Sequence, residues 1–232
     1  MRIRYRQVDE EITPLGTLSL HRYEAESGER GYEVRIDDQF LMATHGSLGE
    51  SAMARLACER LERPRRDLSV LVGGLGAGHT LQAALALEAV ASVEVVEIDH
   101  KVVEWNRRYF AEQGGRALAD HRVRVTVADL ADVLATRSQA YDLMLLDVDN
   151  GPGWLAAPNN AGLYQVAGLE QALGALRVGG ALAVWSPAPN PTFREALHQV
   201  FAAVEEVSTR EILDEGAGPT DVVYLAVRQA VL

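Results

Sequence analysis

The stretch LSVLVGGLGAG, residues 68–78, runs directly into HTLQAALALE, residues 79–88. The first half is a short apolar run bounded by glycine, which reads as a buried strand. The second half has the spacing of a helix. Between them lie Gly73, Gly74, Gly76 and Gly78. Glycine lets the backbone turn sharply and lets a ligand approach with no Cβ in the way. The dinucleotide fingerprint is G-x-G-x-x-G. Here Gly74-Leu75-Gly76-Ala77-Gly78 reads G-x-G-x-G, with His79 where the last glycine would fall. Such a loop suits the amino-acid or aminopropyl tail of an adenosyl sulfonium better than a pyrophosphate. The plainer alternative is a tight strand-to-helix turn.

Downstream, strand and helix patterns alternate. SVEVVEID is read as a strand and HKVVEWNRRYFAE as a helix; RVRVTVAD as a strand and LADVLATR as a short helix. YDLMLLDVD is a strand, and AGLYQVAGLEQALGAL a helix stopped at Gly179-Gly180. ALAVWS is a strand and TFREALHQVFAAV a helix with Pro191 near its start. VEEVSTREI and TDVVYLAVRQ close the chain as two strands joined by DEGAGP. Strands alternating with helices predict a parallel sheet covered on both faces. Two closing strands with no helix between them predict an antiparallel hairpin. The expected fold is therefore α/β, a Rossmann-like seven-stranded sheet that resembles class I methyltransferase folds rather than dinucleotide dehydrogenases. Upstream, RIRYRQV, TLSLHRYEA and YEVRIDDQFLMAT read as three strands, with turns at Pro14-Leu15-Gly16 and Ser27–Gly31. A helix is expected over Leu48–Leu61. The domain expectation is a β-strand appendage over 1–47 and a nucleoside-binding domain over 48–232.

Composition sets the outer bounds. The chain has 232 residues, 48% of them hydrophobic, enough for a full core. No apolar run reaches the roughly 18 residues of a membrane span, and MRIRYRQVDEE has no apolar signal region. A net charge of −11 disfavours nucleic acid as a partner. The single cysteine, Cys58, reads as a small core residue and fits a reducing, cytoplasmic setting. Exposed edges of a short β appendage invite pairing into a homodimer.

In open α/β sheets ligands bind outside the carboxyl ends of the strands. Glu97-Ile98-Asp99 stands at one such end, about 20 residues beyond the glycine loop, the spacing of a carboxylate that grips ribose hydroxyls. Glu97 is the expected ribose ligand, with Asp99 as a helix N-cap. As a crevice residue, Glu97 is expected to matter little to folding. Asp129 ends the next strand, where it accepts from an adenine amino group, caps the following helix, or does both. Asp147 and Asp149 follow the apolar YDLMLL and alternate onto one side, a pair suited to holding a cationic amine or taking its proton. The loop from Asn150 to Ala161 is long and carries Trp154, a candidate lid. No metal is called for.

These motifs resemble the spermidine synthase family, the polyamine aminopropyltransferases. The resemblance spans about residues 32–187 and rests on YEVRIDDQ, LVGGLGAGHTLQAAL, VEVVEID, VTVADL, YDLMLLDVDNGPG and an LYQ ahead of the last long helix. It implies that Gly74, Gly76, Glu97 and Asp129 hold an S-adenosyl nucleoside, decarboxylated S-adenosylmethionine or S-adenosylmethionine, and the loop reading adds Gly78. It also implies that Asp147 is the acid-base residue and that Tyr164 and Gln165 lie near the channel of the acceptor, a small amine; Asp149 is read beside it as an auxiliary holder of the cation and Trp154 as a substrate-side lid residue. Two stretches depart from the family pattern. Asn150 stands at the second acidic position, with Asp149 one place early. Leu41–Glu50 lacks most of the usual polar residues. The alternatives are a small-molecule methyltransferase, whose donor carboxylate would want His79 or Arg35, and a non-catalytic nucleoside binder.

Overall fold

A computed structural model describes residues 2–45, 48–148, 151–155, 158–208 and 221–229. Two sheets organise them. The first is antiparallel, in the order β1 (Ile3–Thr13), β2 (Gly16–Ala25), β3 (Arg30–Ile36), β4 (Gln39–Ala43). The second is the expected seven-stranded sheet, in the order β10-β11-β9-β8-β5-β6-β7. Its members are β5 (Leu68–Gly73), β6 (Val90–Glu97), β7 (Val123–Val127), β8 (Tyr141–Leu146), β9 (Leu176–Ser186), β10 (Ala203–Ser208) and β11 (Val222–Val227). Strands β7, β6, β5, β8 and β9 are parallel, whereas β11 runs antiparallel between β9 and β10. The chain leaves β5 outward to β6 and β7, then returns to β8 on the other side of β5. The strand order reverses at β5/β8, and a crevice opens there at the carboxyl ends.

Helices cover both faces: α1 (Leu48–Glu59), α2 (His79–Leu85) and α3 (His100–Arg108), then α4 (Leu130–Ala135), α5 (Val166–Ala175) and α6 (Pro191–Val200). Burial explains why Leu143–Leu146 of β8 is an unbroken apolar run: Leu143, Met144 and Leu145 have no exposed surface. The small sheet belongs to the same core. Leu18, Leu20, Val34 and Ile36 pack in one cluster with Met53, Val70 and Leu143. Trp105 belongs to the same cluster, and its indole N–H donates to Asp9 of β1 at 2.9 Å, while Lys101 pairs with Asp9 at 3.2 Å. No described helix is long and apolar enough to cross a membrane.

Four local expectations need correction. YEVRIDDQFLMAT is two strands, not one, because Asp37 and Asp38 take φ of 47° and 64° and turn the chain into a hairpin. Short acidic side chains tolerate that left-handed turn. HKVVEWNRRYFAE leaves the α-helix after Arg108 and forms a π-turn over Ala111–Gly115. The helix drawn from Ala161 begins at Val166, preceded by a 3₁₀ turn over Pro158–Tyr164. It does not run to Gly179-Gly180, because β9 starts at Leu176 and both glycines lie inside it. Gly179, at φ 78°, bulges the strand while its N–H donates to Arg228 O at 2.7 Å. The DEGAGP connection lies outside the described residues.

Candidate active site

The glycine loop is shaped by its neighbours. Gly74 has φ 83°, and a Cβ there would stand 2.3 Å from the carbonyl oxygen of Asp147. Gly76, at φ 52°, faces Met42 of the small sheet with room to spare. Gly78 does a different job: a Cβ on it would stand 2.2 Å from Gly114 Cα, so it seats the loop against the π-turn. Asn106, buried on α3, ties the loop down by donating to Gly76 O at 2.8 Å and Val102 O at 2.9 Å.

Beyond the loop lies an apolar cavity with about 800 Å³ of empty space, mouth included. That is within the range of small-ligand sites. Gly74, Gly76, Val96, Glu97, Ile98 and Asp99 line one side, with Ala128 and Leu130 beyond them. Leu15, Leu18, Ile36, Leu41 and Met42 of the small sheet roof it, and Asp147, Val148 and Asn160 close the far end.

Glu97 is buried at the end of β6. One carboxylate oxygen accepts from Leu75 N at 2.9 Å and the other from Asp99 N at 3.0 Å. A carboxylate accepts more than two hydrogen bonds, so the group retains capacity for ribose hydroxyls. Burial pushes its pKa up, opposed by the backbone N–H donors. Asp99 caps α3, accepting from Lys101 N at 2.8 Å. The structure also shows that Glu97 is not neutral to the fold, because its two acceptors fix the glycine loop and the start of α3. Glu97→Gln is expected to weaken nucleoside binding by roughly 1.5–3 kcal/mol, and to lower stability by about 1–3 kcal/mol because an amide cannot accept both N–H bonds. Calorimetry with 5′-methylthioadenosine and a urea titration measure the two effects.

Asp129 caps α4, accepting from Ala131 N at 2.8 Å, beside the cavity residues Ala128 and Leu130. Asp147 follows β8, its backbone fixed by a 2.8 Å bond from its N–H to Gly73 O. Its side chain accepts from Thr80 Oγ at 2.7 Å, and burial pushes its pKa up to about 6. Asp149 and Asn150 lie outside the described residues. The chain thus brings Gly74, Gly76, Glu97 and Asp147 to one cavity. It does not bring Tyr164 and Gln165 there; they line a separate hollow with Pro152, Asn190 and Phe193. The Tyr164 hydroxyl donates to Val148 O at 2.7 Å and so pins the chain just after Asp147. Trp154 is half-buried in the loop and is not among the cavity-lining residues.

Thr80, Asn106 and the apolar roof escaped the sequence reading. Thr80 carried a faint signal, a hydroxyl two places past the last loop glycine. Asn106 carried one too, an amide on the apolar face of α3 beside Val102 and Val103. The roof residues carried none, since apolar strand residues ordinarily face a core.

Residues 50–206 match the family model described as Spermine/spermidine synthase domain. The chain is 27% identical over 205 residues to a polyamine aminopropyltransferase of Prochlorococcus marinus (strain NATL1A), covering 85% of this chain and 65% of that one. It is 26% identical over 147 residues to one from Saccharolobus islandicus (strain L.S.2.15 / Lassen #1), covering 63% of this chain and 48% of the relative. It thus spans less than two thirds of the length of these curated relatives. A spermidine synthase solved with the transition-state analogue AdoDATO superposes with a TM-score of 0.76 at 16% identity, over 96% of this chain and 74% of that one. The spermidine synthase of Thermotoga maritima gives 0.72 at 15% identity, over 95% and 72%. The fold and the matched span agree: the chain belongs to the spermine/spermidine synthase family.

Proposed function

We propose that this chain transfers an aminopropyl group from decarboxylated S-adenosylmethionine to a small amine. The observation that carries the reading is the sign of the charge in the cavity. Among its lining residues the charged ones are Glu97, Asp99 and Asp147, all acidic, and none is Lys or Arg. A donor with an intact carboxylate wants a cation at its tail, and the two candidates for that role are otherwise engaged. Arg35 is paired with Glu33 at 2.6 Å and lies over the Tyr5 ring. Burial lowers the pKa of His79, which favours its neutral form. A sulfonium with an aminopropyl tail is cationic throughout and suits this lining.

In this reading Glu97 takes the ribose hydroxyls, and Ile98, Val102 and Leu130 flank the base beside Asp129. Asp147 faces the reacting end. The amine nitrogen attacks the carbon next to sulfur; the N–C bond forms as the C–S bond breaks. The bonding pair leaves with sulfur as a neutral thioether, 5′-methylthioadenosine. The nitrogen gives up a proton, and Asp147 takes it. The sulfonium already supplies the leaving group, so the protein's part is alignment and proton removal. Asp149 is proposed for the acceptor side and Tyr164 acts through the loop it pins, whereas Gln165 and Trp154 lie outside the cavity lining. A cytoplasmic setting is part of the proposal, consistent with the single cysteine, Cys58, which has no second cysteine in the chain to pair with. A homodimer completes the proposal.

The test is turnover with putrescine, cadaverine, spermidine and agmatine against each sulfonium donor, read by mass spectrometry. Formation of 5′-methylthioadenosine with the decarboxylated donor supports the reading. Formation of S-adenosylhomocysteine from the carboxylated donor, or no consumption of either, overturns it. Thr80 is a positioning residue whose bond favours the ionised Asp147. Thr80→Val therefore raises the pKa of Asp147 above about 6. The acid limb of the kcat/KM profile is expected to move to higher pH, while nucleoside affinity is unchanged.

A further inference from the structure

The order of the strands says where the acceptor stands. From the ribose carboxylate to the base, the rim of the sheet runs β6, β5, β8, and the next strand is β9. Substitution at a saturated carbon is in line, so the attacking nitrogen approaches from the side away from sulfur and adenosine. That is the β9 side of Asp147. The placement rests on the aminopropyl-transfer reading given above.

Register decides which residue of β9 borders that space. Strands β8 and β9 are parallel, with Leu143 beside Ala181 and Leu145 beside Ala183. Continuing by two places sets Asp147 beside Trp185, at the roughly 4.8 Å spacing of neighbouring strands. Alternation turns positions 143, 145 and 147 to one face of the sheet, and 181, 183 and 185 to the same face. Packing agrees, because Leu143, Leu145, Ala181 and Ala183 share a cluster with Met53 of α1, and Trp185 packs against it. Leu146 and Val184 face the other way, into the cluster that holds Tyr164. The acceptor-side neighbour of Asp147 is therefore Trp185.

The indole is held in one orientation. Its N–H donates at 3.0 Å to Oδ2 of Asp221, a buried residue just ahead of β11. Strand β11 lies on the side of β9 away from β8. The pyrrole edge thus points to β11, which turns the six-membered ring toward β8 and Asp147. Gly49, near the start of α1, makes room for this. A Cβ there would stand 2.5 Å from Trp185 Cδ1, 2.6 Å from its Nε1 and 2.8 Å from Asp221 Oδ2. The Trp185 side chain is half-buried, so part of the ring stays open. It is not among the residues lining the nucleoside cavity; it lies one strand beyond the Asp147 end.

We propose that Trp185 is the wall of the acceptor subsite, and that the acceptor is an aliphatic amine recognised through its carbon chain. The attacking nitrogen sits at Asp147 and the methylenes lie on the indole ring. Asp221 is the positioning residue that fixes the ring, and Gly49 keeps α1 off its pyrrole edge. An indole face is apolar and electron-rich, so it takes methylene groups and also tolerates an ammonium farther along the chain.

Calorimetry with n-propylamine, n-butylamine and n-pentylamine, on the chain saturated with 5′-methylthioadenosine, reads this subsite without turnover. Full burial of a methylene gives about fourfold in affinity, so contact on one face should give about twofold per added methylene. Trp185→Ala should flatten the series and weaken n-pentylamine by at least about tenfold, with 5′-methylthioadenosine affinity unchanged. Trp185→Phe keeps a ring without the N–H and should keep most of the trend. Gly49→Ala leaves Trp185 in place but pushes on its pyrrole edge, and should weaken n-pentylamine by at least about threefold. It decides the matter should Trp185→Ala not fold. Where amines turn over, the loss should appear in the KM of the amine more than in kcat. Equal amine affinity in wild type and both alanine variants, a wild-type series without a chain-length trend, or no amine binding overturns the inference. A parallel loss of 5′-methylthioadenosine affinity in Trp185→Ala marks the residue as structural and overturns it too. Absence of transfer with the chain-length trend intact overturns the reaction and leaves the amine subsite standing.

Discussion

Asp147→Asn is expected to abolish aminopropyl transfer while leaving nucleoside binding intact. A fixed general base contributes roughly 10²–10⁴-fold to rate, and the amide keeps the shape but takes no proton. Its backbone stays bonded to Gly73, and Thr80 still finds an oxygen to donate to. The same substitution should raise stability near neutral pH. Burial holds the folded pKa near 6 against an ordinary 3.8. The folded chain therefore binds a proton that the unfolded chain releases, and stability falls as pH rises from about 4 to about 6. Above that window the buried charge destabilises the wild-type fold by roughly 1–3 kcal/mol. The Asn variant should thus melt higher at pH 7 and no higher than wild type near pH 3.5. Retained transfer at full rate would remove Asp147 as the base. A variant less stable at pH 7 would refute the burial argument.

Gly74→Ala is expected to damage both fold and site. The added methyl would sit 2.3 Å from a backbone oxygen, the Asp147 carbonyl, which belongs to a central strand end and has no rotamer to escape into. Left-handed backbone at φ 83° adds about 1–2 kcal/mol for a residue with a Cβ. A loss of at least about 3 kcal/mol is expected, a large share of a typical 5–15 kcal/mol total. What survives should bind nucleoside poorly and turn over slowly, because relief of the clash moves Asp147 away from the glycine loop. Urea midpoints and 5′-methylthioadenosine affinity measure this. Gly76→Ala is the internal comparison: its Cβ meets nothing nearer than Met42 Sδ at 3.8 Å, so only its left-handed φ of 52° opposes the change. Equal stability of the two variants would show that the close approach to Asp147 is unimportant.

The sheet and the carboxylates at its edge are legible in local sequence pattern. β5 and β8 are read from their apolar runs because both faces of a central strand are buried. Once the alternation implies a parallel sheet, every strand end points to the same rim, so Glu97 and Asp147 converge without any knowledge of packing. Short-range signals failed where one signal serves two structures. Gly179-Gly180 reads equally as a helix stop and as a bulge inside β9, and only pairing with β11 separates them. Asp37-Asp38 reads as strand polarity until its left-handed φ values close a hairpin. Contacts distant in sequence were decided by tertiary structure alone. Thr80 reaches Asp147 across 67 positions, and Met42 roofs a loop that follows a different sheet. Val8 shifts the register of β1 against β2. A sequence pattern carries the periodicity of one element; which side of that element meets which neighbour is fixed only when the elements pack.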